Sequence, residues 1–151
     1  MEPIEMEPTE PTAGLREVLE LYRGAAIRQA ADDMRGLYAA DAIHEFPFTP
    51  PGVPSRLTGR DEIVGWIATG WRTLPLRYER YRTIASHDTG DPQTIIVEQE
   101  ALGRNTSSGR AFALPNIVVL TVRDGQIAHL RDYVDVLAAA DAAGRAATAL
   151  G

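Results

Sequence analysis

Apolar residues recur in two rhythms along this chain, and the rhythm changes near residue 76. Leu15, Val18, Leu19, Tyr22 and Ile27 form an approximate helical stripe, which predicts a first helix over Gly14–Ala31. A short second helix is predicted through Met34, Leu37 and Tyr38, with Asp32 and Asp33 as candidate capping residues. Ala42–Phe48 reads as a strand. The stretch Thr49–Gly59 holds too many turn-forming residues for regular structure and reads as a long, partly rigid loop. Arg60–Trp71 reads as a third helix, with Ile63, Ile67 and Trp66 or Trp71 on its apolar side.

Strand-like segments follow. Leu76–His87, Thr94–Arg104, Arg110–Arg123 and Gln126–Val136 are separated by turn sequences at Asp88–Pro92, Asn105–Gly109 and Asp124-Gly125. Helices first and then an antiparallel meander imply an α+β fold, not a doubly wound sheet. The expected arrangement sets the helices on one face of a curved sheet, enclosing a core or a deep pocket. Residues 14–137 would form that domain. Residues 1–13, acidic and proline-rich, read as a flexible tail. The alanine-rich residues 138–151 read as a short docking helix or a frayed end.

Within the last strand, Asp132 falls on the same face as Ala128, Leu130 and Val134 by period-two alternation. A carboxylate on an apolar face costs free energy unless it is paired, hydrogen-bonded or used. Asp132 is therefore the first candidate for acid–base chemistry, or else a structural carboxylate fixed by Arg131, Arg104 or backbone donors. Glu98 and Glu100 share a face with each other and with Leu102, while Gln99 and Ala101 point the other way. Either glutamate would raise a carboxyl pKa if it approached Asp132 in a pocket, giving one acid and one base. Facing solvent, the pair is an ordinary charged surface.

His44 shares a face with Phe46 and could shuttle protons, orient a substrate oxygen, or sit satisfied in the core. His129 has the opposite parity to Asp132 and should face away. His87 lies beside a turn. Asn116 shares a face with Leu114 and Val118 and could donate to a substrate carbonyl or orient Asp132. Pro115 beside it could instead impose a bulge, because proline cannot donate to the ladder. Phe46, Phe48, Trp66, Trp71, Leu74, Leu114 and Leu130 are candidates for a pocket lining, and the loop Pro47–Pro54 for its rim.

Composition narrows the function classes. The 151 residues carry a formal net charge of −6 with no long basic run, which argues against nucleic-acid binding. Cysteine is absent, so thiolate catalysis, disulfides and Cys-ligated metals are excluded. Three separated histidines make no compact metal-ligand pattern, and no phosphate-cradling glycine loop precedes a helix. No cofactor is therefore expected. No apolar run reaches membrane-spanning length, and the N-terminal residues lack the features of a secretory signal, so a cytoplasmic protein off the membrane is expected.

Leu37-Tyr-Ala-Ala-Asp-Ala-Ile-His-Glu-Phe-Pro47, Gly59-Arg-Asp-Glu-Ile63 and Asp124-Gly-Gln-Ile-Ala-His-Leu-Arg-Asp-Tyr-Val-Asp135 together resemble the NTF2-like superfamily, in its SnoaL-like and ketosteroid-isomerase-like branch. The resemblance spans roughly Leu15 to Val136. It implies a cone-like α+β domain with an apolar pocket and a homodimer. Tyr22 lies near the position of the isomerase-like catalytic tyrosine. The general-base position of those isomerases falls at Phe46, which cannot move a proton. Their acidic oxyanion donor falls near Val118, or Asn116 in a shifted register.

Arg131-Asp132-Tyr133-Val134-Asp135 is similar to a segment of limonene-epoxide-hydrolase-like proteins, which implies that Asp132 helps activate water. The arginine and aspartate on the neighbouring strand of those enzymes would match Glu98 and Glu100, and their water-positioning tyrosine and asparagine would match His44 and Phe46. The expected function is a cofactor-independent cyclisation, isomerisation, dehydration or epoxide opening of a small hydrophobic, oxygen-bearing, polyketide-like or terpenoid-like molecule. Asp132, Glu98, Glu100 and His44 are the expected catalytic residues; Asn116, Tyr22, Phe46, Phe48, Trp66, Leu114, Val118 and Leu130 are the expected binding residues. The alternative is a non-catalytic small-molecule-binding or dimerisation module.

Overall fold

A computed structural model describes residues 14–50 and 52–144. The flexible-tail reading of residues 1–13 and the end of the alanine-rich segment lie outside the described residues. Helix α1 spans Leu15–Arg28 and stops where Gln29 turns left-handed, with its N–H bonded to the Ala25 and Ala26 carbonyls. Helix α2 runs Ala31–Leu37. Its N-cap is Ala30 without a side-chain cap, so Asp32 and Asp33 sit in the first turn, where the helix dipole favours negative charge. Tyr38 does not close α2 as expected; it opens strand β1, Tyr38–Glu45.

The expected irregular loop contains a short strand, β2, at Arg56–Thr58, paired antiparallel with β1. Helix α3 (Arg60–Thr73) follows, and then the meander of β3 (Leu76–Asp88), β4 (Thr94–Asn105), β5 (Ala111–Arg123) and β6 (Gln126–Val134). A short helix α4, Val136–Ala142, is capped by the Asp135 carboxylate, which accepts from the Ala138 N–H. It buries Ala140 and Ala142, while Asn105 donates to the Ala142 carbonyl.

The six strands are ordered β2-β1-β6-β5-β4-β3, with β1 and β6 parallel and the other neighbours antiparallel. The α+β architecture with N-terminal helices is as expected, but the curved cone enclosing a pocket is not. The sheet is open, ending in edges at β2 and β3, and neither closes on itself nor curls strongly. Val18, Met34 and Ile63 from the helices and Val97, Leu120 and Ile127 from the sheet form the fully buried centre between the two layers.

Parity decides which side chains meet that layer, because a one-residue slip moves a strand's side chains to the other face. On β4 the buried residues are the odd-numbered ones: Ile95, Val97, Gln99 and Ala101. Pro115 imposes no bulge, since β4 and β5 stay in continuous register from Thr94↔Thr121 to Arg104↔Ala111. Its missing N–H falls where Pro115 opposes Glu100. Irregularities lie elsewhere. One between Thr121 and Val122 brings Ile127, not Ala128, onto the buried face with Leu130.

Gly103 lies where β4 meets the first β3 irregularity. A Cβ there would overlap the Arg77 carbonyl oxygen and stand 2.8 Å from Phe112 Cζ. Gly103→Ala should therefore lower unfolding free energy by about 1–3 kcal/mol, as overpacking against backbone does, read as a lower urea midpoint. An unchanged midpoint would contradict this close approach.

Candidate functional site

A cavity of about 210 Å³ lies between the sheet and helices α1–α3. Tyr22, Met34, Trp66 and Trp71 line it from the helical side, and His44, Leu114, Asn116 and Asp132 from the sheet. Most of its wall is apolar, with few polar groups directed inward, as in small-molecule sites.

Asp132 owes its place to strand parity. It opposes Val118 across β5 and follows Leu130 by two residues on the inner face of β6. Asn116, one inner position along β5, opposes Val134, so Asn116 and Asp132 are diagonal neighbours. Asn116 Nδ2 donates to Asp132 Oδ1 at 2.8 Å. Asp132 lies deep in the fold, and what surface it retains faces the cavity. Burial pushes its pKa up to about 6, against the opposing pull of the Asn116 hydrogen bond.

His44 is 2% exposed and bonds through Nδ1 to the Tyr38 hydroxyl at 2.9 Å. Burial, and secondarily His129, lower its pKa to about 4, so the ring is neutral at physiological pH. Nε2 is buried without a hydrogen-bond partner among the described residues. Burial raises the pKa values of both Tyr22 and Tyr38 above the ordinary phenol value, so both are neutral. In the tautomer in which the Tyr38 hydroxyl donates to Nδ1, the His44 proton sits on Nε2. Phe46 packs on the His44 ring at 4.8 Å between centroids, keeping this corner dry.

Tyr78 and Tyr81 complete the polar fringe, and sequence parity hides them. Three residues apart, they should face opposite ways. The irregularity between Tyr78 and Arg80 makes Glu79 the extra residue, so both rings turn into the cavity. Burial raises the pKa values of both, reinforced by the Asp132 charge at Tyr78 and by Tyr22, Tyr78 and Asp132 at Tyr81, holding them as neutral phenols. Tyr38, Tyr78 and Tyr81 were not among the expected site residues; the one available signal was three tyrosines within reach of a predicted inner face.

Several expectations are corrected. Glu98 and Glu100 do not reach the cavity. They occupy the outer face of β4, where Glu98 pairs with His87 at 2.7 Å and Glu100 with Arg82. The inner positions are Gln99 and Ala101, so no carboxylate partner for Asp132 comes from that strand. Phe48 is 63% exposed and packs edge-on against Tyr133, outside the cavity. Leu130 is buried in the core and does not line it. Asp132, His44, Asn116, Tyr22, Phe46, Trp66, Leu114 and Val118 do come together around it. His129 faces away, pairing with Glu45. Among the described residues, no cluster of metal-binding side chains occurs, and no helix is long and apolar enough to cross a membrane.

The SnoaL-like domain profile matches residues 15–130. An uncharacterized PhzA/B-like protein of Pseudomonas aeruginosa is 34% identical over 119 residues, covering 74% of this chain and 79% of that protein. A crystal structure of a Bacillus subtilis protein provisionally named an isomerase superposes with a TM-score of 0.78 at 24% identity, covering 87% of this chain and 93% of that one. An LEH-like epoxide hydrolase of Mycobacterium tuberculosis superposes with a TM-score of 0.60 at 17% identity, covering 88% and 91%. Likeness at these structural identities shows the NTF2-like fold alone.

The raised Asp132 pKa has a signed consequence for stability. A carboxyl whose pKa is higher folded than unfolded favours folding fully below its unfolded value of 3.8, and that contribution is lost as pH rises through about 6. Asp132→Asn removes the cost of the buried charge. The variant should exceed wild type by roughly 1–3 kcal/mol near pH 8 and converge with it below about pH 4, measured by urea unfolding across pH. A variant equally destabilised at both ends would contradict a desolvated carboxyl.

Proposed function

The chain belongs to the SnoaL-like domain family, and from that premise we propose that its cavity catalyses cofactor-independent proton transfer on a small hydrophobic molecule bearing a carbonyl oxygen. The observation that carries this reading is the desolvated Asp132 carboxyl, held by Asn116 against an otherwise apolar cavity. A carboxylate with a pKa near 6 is largely ionised at neutral pH, yet it is a stronger base than an exposed aspartate.

Asp132 would remove a proton from the carbon beside the substrate carbonyl. Negative charge then develops on the carbonyl oxygen. In the tautomer that carries its proton on Nε2, the neutral His44 ring would meet it with that N–H, backed by the Tyr38 hydroxyl. Asn116 keeps the Asp132 carboxyl in one orientation through both steps. Asp132 returning the proton to another carbon of a conjugated enolate gives isomerisation; returning it to a β-hydroxyl, which leaves as water, gives dehydration. Attack of the enolate carbon on a second carbonyl of the same molecule breaks that carbonyl's π bond, and its oxygen takes the proton from Asp132, which gives ring closure; all three outcomes share one first step. Structural relatives named for isomerase and epoxide hydrolase activities support chemistry of this general class.

Proton transfer fits better than epoxide opening. Among the described lining residues Asp132 is the single carboxyl, and His44 resists protonation. Opening an epoxide needs a second group to protonate the departing oxygen. Polyketide-like and terpenoid-like ketones are the substrate class we assign, because the mostly aromatic and aliphatic wall offers an anionic ligand no countercharge among the described lining residues.

Solvent deuterium uptake into cyclic ketones and enones, followed by NMR, tests the reading. Asp132→Asn should slow uptake by about 10²–10⁴-fold, and the wild-type rate should rise with pH through an apparent pKa near 6. Uptake that survives Asp132→Asn unchanged, or no enzyme-dependent uptake at all, would leave a binding protein and not a catalyst.

A further inference from the structure

Gln99 lies on the inner face of β4, 3% exposed, in the wall of the cavity. Arg23, from α1, holds its side chain from one side. Arg23 Nε and Nη2 both donate to Gln99 Oε1, at 3.1 and 2.7 Å. Nη2 also donates to Thr83 Oγ1 at 2.8 Å, Nη1 to Glu20 at 2.9 Å, and the guanidinium lies 5.5 Å from the centre of the Tyr81 ring. Every direction in which Arg23 could move is thus fixed.

This hold settles the orientation of the carboxamide. An arginine offers donors only, so the group facing it must be the oxygen, and the NH₂ must point the other way. No acceptor among the described residues takes those amide hydrogens. Gln99 Nε2 is not among the fully buried atoms left without a partner, so it keeps surface in the cavity, where a ligand oxygen or water can accept from it. Arg23 consumes the acceptor of Gln99 and leaves only its donors for the cavity.

We infer that Gln99 is a specificity-determining residue: its Arg23-locked amide donates to an acceptor oxygen of the ligand, so the cavity selects molecules that place such an oxygen there over hydrocarbons of the same shape. Arg23 is the positioning residue, acting through Gln99. The inference rests on the carbonyl-substrate reading above and adds a recognition point distinct from Asp132 and His44. Asn116 stands opposite Gln99 across β4 and β5, so the base and the amide donor are built on neighbouring inner positions of one sheet.

The substitution Gln99→Glu tests it. The change is nearly isosteric, keeps the pairing to Arg23, and replaces the inward donor with an acceptor. The probes are 2-tetralone and tetralin, close in shape and differing in whether an acceptor oxygen is present. Trp66 and Trp71, the two tryptophans of the chain, both line the cavity, so their fluorescence reports binding directly. Gln99→Glu should weaken 2-tetralone relative to tetralin by about tenfold or more, since one hydrogen bond is lost and an oxygen–oxygen repulsion replaces it.

Should that variant fail to fold, Gln99→Met removes the donor without adding charge and should shift the same ratio in the same direction. Equal loss for both probes marks Gln99 as merely structural and overturns the inference. Wild type showing no saturable 2-tetralone binding overturns it as well. Failure of the catalytic reading shows separately, as deuterium uptake that persists in Asp132→Asn.

Discussion

The hydrogen bond from Asn116 to Asp132 is the constraint around which the cavity is organised. An aspartate placed in a cavity wall with Val118, Leu114 and Phe46 cannot keep an ordinary pKa, because the apolar surroundings penalise its charge. One amide donor partly offsets the penalty without cancelling it. More donors would pull the pKa back to the usual carboxylate range and remove its value as a base. A complete absence of donors would leave the group protonated and unoriented. The surrounding polar groups respect the same balance: the Tyr78 and Tyr81 phenols stay neutral, and His44 stays neutral.

Charge is segregated by the sheet. The outer face carries the pairs Glu98–His87, Glu100–Arg82 and Glu45–His129, where water screens them. The inner face carries one carboxyl, one neutral imidazole and two carboxamides. Arg23 is the exception, a cation brought in from α1, and its charge is spread over Gln99, Thr83, Glu20 and the Tyr81 ring. An enzyme that stabilises developing negative charge on a substrate gains from such a wall, in which most inward groups are donors.

Much of the fold was legible from periodicity. The switch from a helical stripe at Leu15–Ile27 to four turn-bounded strands is a local property, and the helix and strand limits fell within a few residues of those expected. Asp132 was legible too, as a carboxylate among Leu130 and Val134. Three things were not. One edge of the open sheet is β2, a three-residue strand hidden in a proline-rich loop whose pairing with β1 is long-range information. The phase of β4 was misread: Glu98 and Glu100 alternate as convincingly as Gln99 and Ala101, and only pairing with β5 decides which pair faces inward. Tyr78 and Tyr81 needed an extra residue at Glu79 that strict alternation cannot foresee. Even Gln99, the residue placed outside by that phase, turns out to stand inside beside Asn116.

The central claim is that Asp132 is a desolvated, titrating carboxyl facing the cavity. Carbon-13 NMR of aspartate-labelled protein, with the Asp132 carboxyl resonance assigned by its absence from Asp132→Asn, tests it directly. The account predicts a titration midpoint near 6. A midpoint close to the ordinary aspartate value of about 4 would contradict it, because a solvated carboxyl would supply neither the base nor the reason for the cavity around it.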